Sequence, residues 1–413
     1  MTSALSPQRE TTIALIAASI PLAPESENIR AQLSRGELAW DDVLYLADGH
    51  GITPLLYTLW ERLELLALVP AAARARMAQA YEDNATRNAD ARREFQTLVA
   101  LMENARVEFI VMKGLPLLMQ LYADPAERVL YDFDFLARDE TQARRGYETL
   151  LTAGFTPVPM KAGTFVTKHL PSVWRLNGFA RRGYLFDVAQ PRPVEMHTTL
   201  WDTNWRGLDL QPIPDLWARS VQVAVDEKNV RVLSLEDTFA HLCVHLATHL
   251  VEREARVGQA IDIARLLAQR GDAFDWTRVI AASEAARVTR FVYLALRAVN
   301  VLTGAPLPPQ NILDTLRAKT PARLRAWIEQ HGARDLLAMD YRHTDLSRAY
   351  ALTFAATQSW REKIRVVRFA LLPSLDTLQA EYGAGGALLY ARHLERRGRV
   401  YLNARRQRRA HGN

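Results

Sequence analysis

Cysteine is all but missing from the 413 residues: Cys243 stands alone. One thiol excludes an internal disulfide and a cysteine-based zinc site. It suits a reducing cytosol, so a cytoplasmic location is expected. No apolar run reaches the roughly 20 residues needed to span a bilayer. The N-terminal apolar stretch, residues 13–22, is short, follows Glu10 and lacks a basic segment ahead of it. It reads as a helix rather than a secretory leader. An internal repeat and a low-complexity tract are also lacking, so nothing points to a repeat array or a biased linker.

What is present is an ordinary globular composition, 49% hydrophobic and 24% charged. A chain of this length can bury a sizeable core and hold two or three domains. The net charge of +6 is unevenly placed. Residues 392–409 carry eight arginines against Glu395 alone, about +7, so the rest of the chain is near neutral. Such a tail suits nucleic acid, anionic lipid or an acidic partner, or else forms a solvated helix end. Aromatic interleaving is limited to Tyr390 and Tyr401, too sparse for a base-stacking platform.

Residues 1–105 read as mostly helical, with helical apolar spacing at 40–47, 55–66 and 71–104. The texture changes at 107–112, Val-Glu-Phe-Ile-Val-Met, a short apolar run expected to be a buried strand. Lys113-Gly114 ends it, Pro116 is placed for the first turn of a helix, and Asp124-Pro125 closes that helix. The run Val-Leu-Tyr-Asp-Phe-Asp-Phe-Leu at 129–136 reads as a second strand. A helix is expected at 138–152, and short strands between 155 and 200, the last carrying Glu195. From about 235 the spacing is helical again, at 235–250, 258–270 and 276–303, with a proline-marked linker near 306–309. The expected fold is α+β, a mixed-sheet core between helical N-terminal and C-terminal regions. Its expected division is a helical region 1–105, an α/β core 106–220, a helical domain 221–372 and a basic segment 373–413.

The acidic strand carries the strongest chemical signal. Alternation puts Asp132 and Asp134 on one face and Tyr131, Phe133 and Phe135 on the other. Two like charges pointing the same way repel, and a divalent cation is the usual remedy. The bland alternative is an edge strand with both acids solvated. Phosphoryl and nucleotidyl transfer call for cations held by carboxylates on a rigid sheet. Glu195, in an apolar strand-like run, is the best third carboxylate. A strand that stops at Lys113-Gly114 and starts a helix leaves unpaired N–H groups that favour a phosphate. Lys113 adds a point charge there, and Arg128 a planar fork.

This order resembles the bacterial uncharacterised nucleotidyltransferase family, within the DNA polymerase β-like nucleotidyltransferase superfamily. The resemblance rests on Met-Lys-Gly-Leu-Pro-Leu-Leu at 112–118, Tyr122, Arg128, Asp-Phe-Asp-Phe-Leu at 132–136, Val-Glu-Met-His at 194–197 and Trp201. It extends to the histidine-bearing segment 241–249, to 260–264, and to Leu372-Pro373-Ser374 with Tyr382. It implies that Asp132, Asp134 and Glu195 bind Mg²⁺, with two ions expected, and that an NTP lies over the Gly114 turn. The wider superfamily carries Gly-Ser where this chain has Lys113-Gly114.

His241, His245 and His249 recur on one helix face. They read either as a packed face or as pocket lining; the span is too long for all three to share one ion, though a pair such as His245 and His249 could share one. Asp262 is expected to face His249 and to orient it or act as a base. His197 should share the face of Glu195, touching an acceptor or a phosphate, or else capping the strand. The reading that follows is an Mg²⁺-dependent nucleotidyltransferase with an unidentified acceptor. Phosphotransfer on the same fold and a non-catalytic scaffold are its rivals.

Overall fold

This computed structural model describes residues 6–35, 38–159, 167–176, 184–252, 254–338, 346–373, 375–383, 385–386 and 388–410. Helices dominate, and a seven-stranded mixed sheet lies between them. Its strands are β1 (Phe109–Met112), β2 (Phe133–Ala137), β3 (Thr156–Pro157), β4 (Val173–Trp174), β5 (Val194–His197), β6 (Val221–Val225) and β7 (Lys228–Val232). They are ordered β3-β4-β5-β2-β1-β7-β6. The α+β class with helical flanks is therefore what the chain adopts.

The central strands are buried on both faces, which is why they read as near-continuous apolar runs. β2 runs antiparallel to β1 and parallel to β5. On one side Phe95, from the 34-residue helix Ala71–Asn104, stacks on Phe133 and Phe135. The helix Glu140–Thr152 also packs on β2 and β5. Gly146 allows this, since a Cβ there would meet Met196 Cε at 2.6 Å.

Two elements differ from expectation. The stretch 221–232, left among the helices, is the hairpin β6–β7. Its apolar residues alternate at period two, and Asp226 takes the left-handed turn at φ 54°. The expected helix at 276–303 is two, Trp276–Ala285 and Thr289–Thr303, broken where Arg287 adopts φ 59°. The basic tail is a helix, Leu388–Ala410. Among the described residues, no helix is long and apolar enough to cross a membrane.

Candidate active site

β1 ends at Met112, and the chain turns sharply through Lys113 (φ 31°, ψ −129°) and Gly114 (φ 38°) into the helix Gly114–Leu121. A lysine at positive φ is strained, and such strain clusters at functional sites. Glycine suits position 114 because its own φ of 38° is one that L side chains rarely adopt; a Cβ there would make only ordinary contacts, 3.4 Å from Leu130 Cδ1 and 3.5 Å from the Asp132 carbonyl.

Across the sheet, Asp134 is registered against Met112 on one side and Glu195 on the other. Parallel neighbours in register point the same way, so the two carboxylates share a face, and His197 joins them two residues on. His197 Nε2 lies 3.0 Å from Asp134 Oδ1 and 3.2 Å from Glu195 Oε2. His169 Nε2 reaches the same Glu195 oxygen at 3.3 Å, and Ser172 Oγ donates to Oε1 at 3.1 Å. Lys113 Nζ sits 3.0 Å from Asp134 Oδ1 and 3.9 Å from Asp132 Oδ2. Asp134 Oδ2 and His197 Nδ1 are buried, with no hydrogen-bond partner among the described residues.

The electrostatics follow from this packing. Burial opposes the charge on Asp134, but Lys113 and the His197 hydrogen bond outweigh it and hold the carboxyl well below its usual range. Burial likewise works against Glu195, and the His197 hydrogen bond brings it down to about 2. Asp132 goes the other way: burial and the adjacent Asp134 charge raise it. Burial disfavours the Lys113 ammonium, yet Asp132 and Asp134 together keep it charged.

A cavity of about 420 Å³ opens beside this cluster, lined by Lys113, Gly114, Asp132, Tyr131, His245 and His249 among others. Lys113 joins the two regions, since it lines the cavity and also reaches Asp134.

Asp134 and Glu195 are adjacent, as expected from the sequence, but several other details differ. β2 begins at Phe133, so Asp132 and Tyr131 stand outside the ladder. Tyr131 therefore leaves the Phe133 and Phe135 face, and the Arg256 guanidinium lies 4.1 Å from its ring centre. Within the structure, the like-charge conflict of the two aspartates is met by Lys113. Arg128, expected on a triphosphate, spends its fork on Asp262, with Nε and Nη2 at 2.9 and 2.8 Å from the two carboxylate oxygens. Asp262 also accepts from Tyr122 Oη at 2.7 Å, so Arg128 and Tyr122, not His249, orient it. His197 is fully buried and reaches both carboxylates, so it does not cap the strand at the surface. His245 pairs with Gln259 Nε2 at 3.0 Å, and the rings of His245 and His249 meet edge to face at 4.4 Å. His241 is buried, and neither of its ring nitrogens has a partner among the described residues. Local pattern gives Ser172 and Arg256 no role and leaves that of His169 undecided. Their roles depend on contacts across the fold that no local spacing announces.

The profile of uncharacterised nucleotidyltransferases matches residues 36–304. The chain belongs to that family. The match takes in the Lys113-Gly114 turn, both aspartates, Glu195 and the histidine helix. An antigenic nucleotidyltransferase-like protein from Paracoccidioides brasiliensis is a similar solved structure, 14% identical, covering 52% of this chain and 96% of that one. Its TM-score of 0.28 is too low for the likeness to carry weight. No curated protein matches the chain. Family membership suggests a transferase.

Proposed function

We propose that the protein is a divalent-metal-dependent nucleotidyltransferase. It moves a nucleoside monophosphate group from an NTP to an acceptor hydroxyl or phosphate. The observation that carries this reading is Asp134 registered beside Glu195, its Oδ2 without a partner among the described residues, next to the Lys113-Gly114 turn. The residues fit a cation: Asp134, Glu195 and His197 each offer a ligand atom, all within 4.8 Å of one another. Carboxylate oxygens suit Mg²⁺ or Mn²⁺. Asp134 and Glu195 would hold the metal, with Asp132 completing a two-ion site at the cavity edge. Bound there, the metal neutralises charge on the transferring group and its leaving oxygens.

The chain's own residues do the rest. The N-terminus of the helix Gly114–Leu121 offers backbone N–H groups to the triphosphate, and Gly114 lets it approach. Lys113, already held at the mouth of the turn, would offer its ammonium to phosphate oxygens. The Arg128–Asp262–Tyr122 cluster fixes the cavity wall rather than binding phosphate through a free fork. His245 and His249 line the space left for the acceptor or nucleoside. In the reaction, an acceptor oxygen bonds to the α-phosphorus and the bond to the bridging α–β oxygen breaks. Pyrophosphate leaves, and the acceptor proton is lost to solvent.

The test is a screen of the four α-labelled NTPs with Mg²⁺ or Mn²⁺, reading pyrophosphate release and mass gain on candidate acceptors. Asp134→Ala and Glu195→Ala should each lower turnover by about 10³-fold with the fold intact. Unchanged turnover in both variants defeats the reading, and release of a nucleoside diphosphate in place of pyrophosphate assigns phosphotransfer instead.

A further inference from the structure

The helix Trp360–Leu371 has two faces of different character. On one, Glu362 and Val366 are buried; Glu362 accepts Arg290 Nη1 and Nη2 at 3.2 and 2.9 Å, anchoring the helix to the helical body. On the other lie Trp360, Ile364, Val367 and Leu371, 66%, 57%, 44% and 42% exposed. Spacings of four, three and four put them in one narrow stripe. Scattered exposed apolar residues need no explanation, but four in line on one helix do. Leu372, the residue that caps the helix, is 54% exposed.

The flanks of the stripe are cationic. Arg361, Lys363 and Arg368 are exposed beside it, and the helix's acid, Glu362, is on the buried side. The helix Leu388–Ala410 packs against this one and presents Arg392, Arg396 and Arg399 to solvent. Four further arginines follow in its sequence, at 405, 406, 408 and 409.

We propose that this face docks on an anionic lipid surface. An apolar stripe with a tryptophan at one end, bordered by arginine and lysine, is the pattern of a helix lying in the headgroup region. The stripe enters the acyl boundary while the cations meet lipid phosphates. Charge selects this occupant over a second copy, because two such faces meeting would bring their cationic borders together. It selects lipid over RNA because RNA would leave the apolar stripe without a partner.

The experiment is co-sedimentation of the full chain with phosphatidylcholine vesicles, with and without phosphatidylglycerol. Binding should require phosphatidylglycerol and weaken as salt is raised. The double variant I364D/V367D should bind at least about tenfold more weakly at an unchanged melting temperature. Should that variant fail to fold, R361E/R368E reverses two exposed charges on the border of the stripe and should lose binding equally. The proposal is overturned if the wild-type chain ignores anionic vesicles, or if the folded stripe variant binds them as well as wild type. It is also overturned if sedimentation velocity shows a dimer that the stripe variant abolishes.

Discussion

A carboxylate as buried as Asp134 cannot stay ionised without a cation at hand, and Lys113 is that cation in this structure. Removing one member of a buried pair costs about 3–5 kcal/mol, because the other charge is left uncompensated. Lys113→Met should lower stability by that amount in urea unfolding. Added Mn²⁺ should then raise its melting temperature more than it raises that of wild type, since a bound cation replaces the lost ammonium. A variant as stable as wild type, or one indifferent to Mn²⁺, would deny that Lys113 and a metal serve the same carboxylate. At this scale the sequence revealed the acids better than their partners. Glu195 stood out because a carboxylate in an apolar strand-like run needs a reason. The partner of Arg128 did not, because Asp262 lies 134 residues away and only the packing of the helix Val257–Arg270 brings it near. His169 was hidden for the same reason: its bridge to His197 is a long-range contact.

The strands set where the acids stand. β2 begins at Phe133 because its parallel partner β5 begins at Val194, and Pro193 ahead of it has no N–H to continue the ladder. Alternation in the sequence predicted a longer strand, since it reports side-chain polarity and not where the neighbouring strand stops. The hairpin at 221–232 is legible in its period-two pattern, valines alternating with other residues on both sides of Asp226. The long helix Ala71–Asn104 was legible from its spacing, and it holds the floor of the site through Phe95, stacked on Phe133 and Phe135. Phe95→Ala opens a cavity under the acidic strand and should cost about 3–5 kcal/mol. Chemical denaturation would measure this, and a loss under about 1 kcal/mol would show that the aromatic stack does not support β2.

Across the whole molecule, helical residues from before and after the sheet in sequence share one core with it. Ion pairs such as Arg62–Glu127–Arg265 join segments that local pattern could not relate. That shared packing buries histidines in neutral form. Burial, with Arg256 nearby, takes His50 down to about 4; burial, with the Lys113 charge, takes His241 down to about 3. Above the ordinary value of 6.5 both rings are neutral whether the chain is folded or not. Below it, the unfolded chain binds protons that the folded chain refuses. Stability is therefore full above that value and falls as the medium is acidified, by about 1.4 kcal/mol per pH unit for each histidine. Asp134 and Glu195, both held low, add to the loss in stronger acid. Urea midpoints between about pH 7 and pH 5 would check this slope, and H50Q/H241N should flatten it. The same packing also frames the cation site beside the Lys113-Gly114 turn. Its most direct test is calorimetric titration of the full chain with Mn²⁺ in the presence of a non-hydrolysable NTP analogue. Saturable cation binding in the wild type, absent in both Asp134→Ala and Glu195→Ala while circular dichroism shows each still folded, is the predicted result; binding that survives in both variants would contradict it.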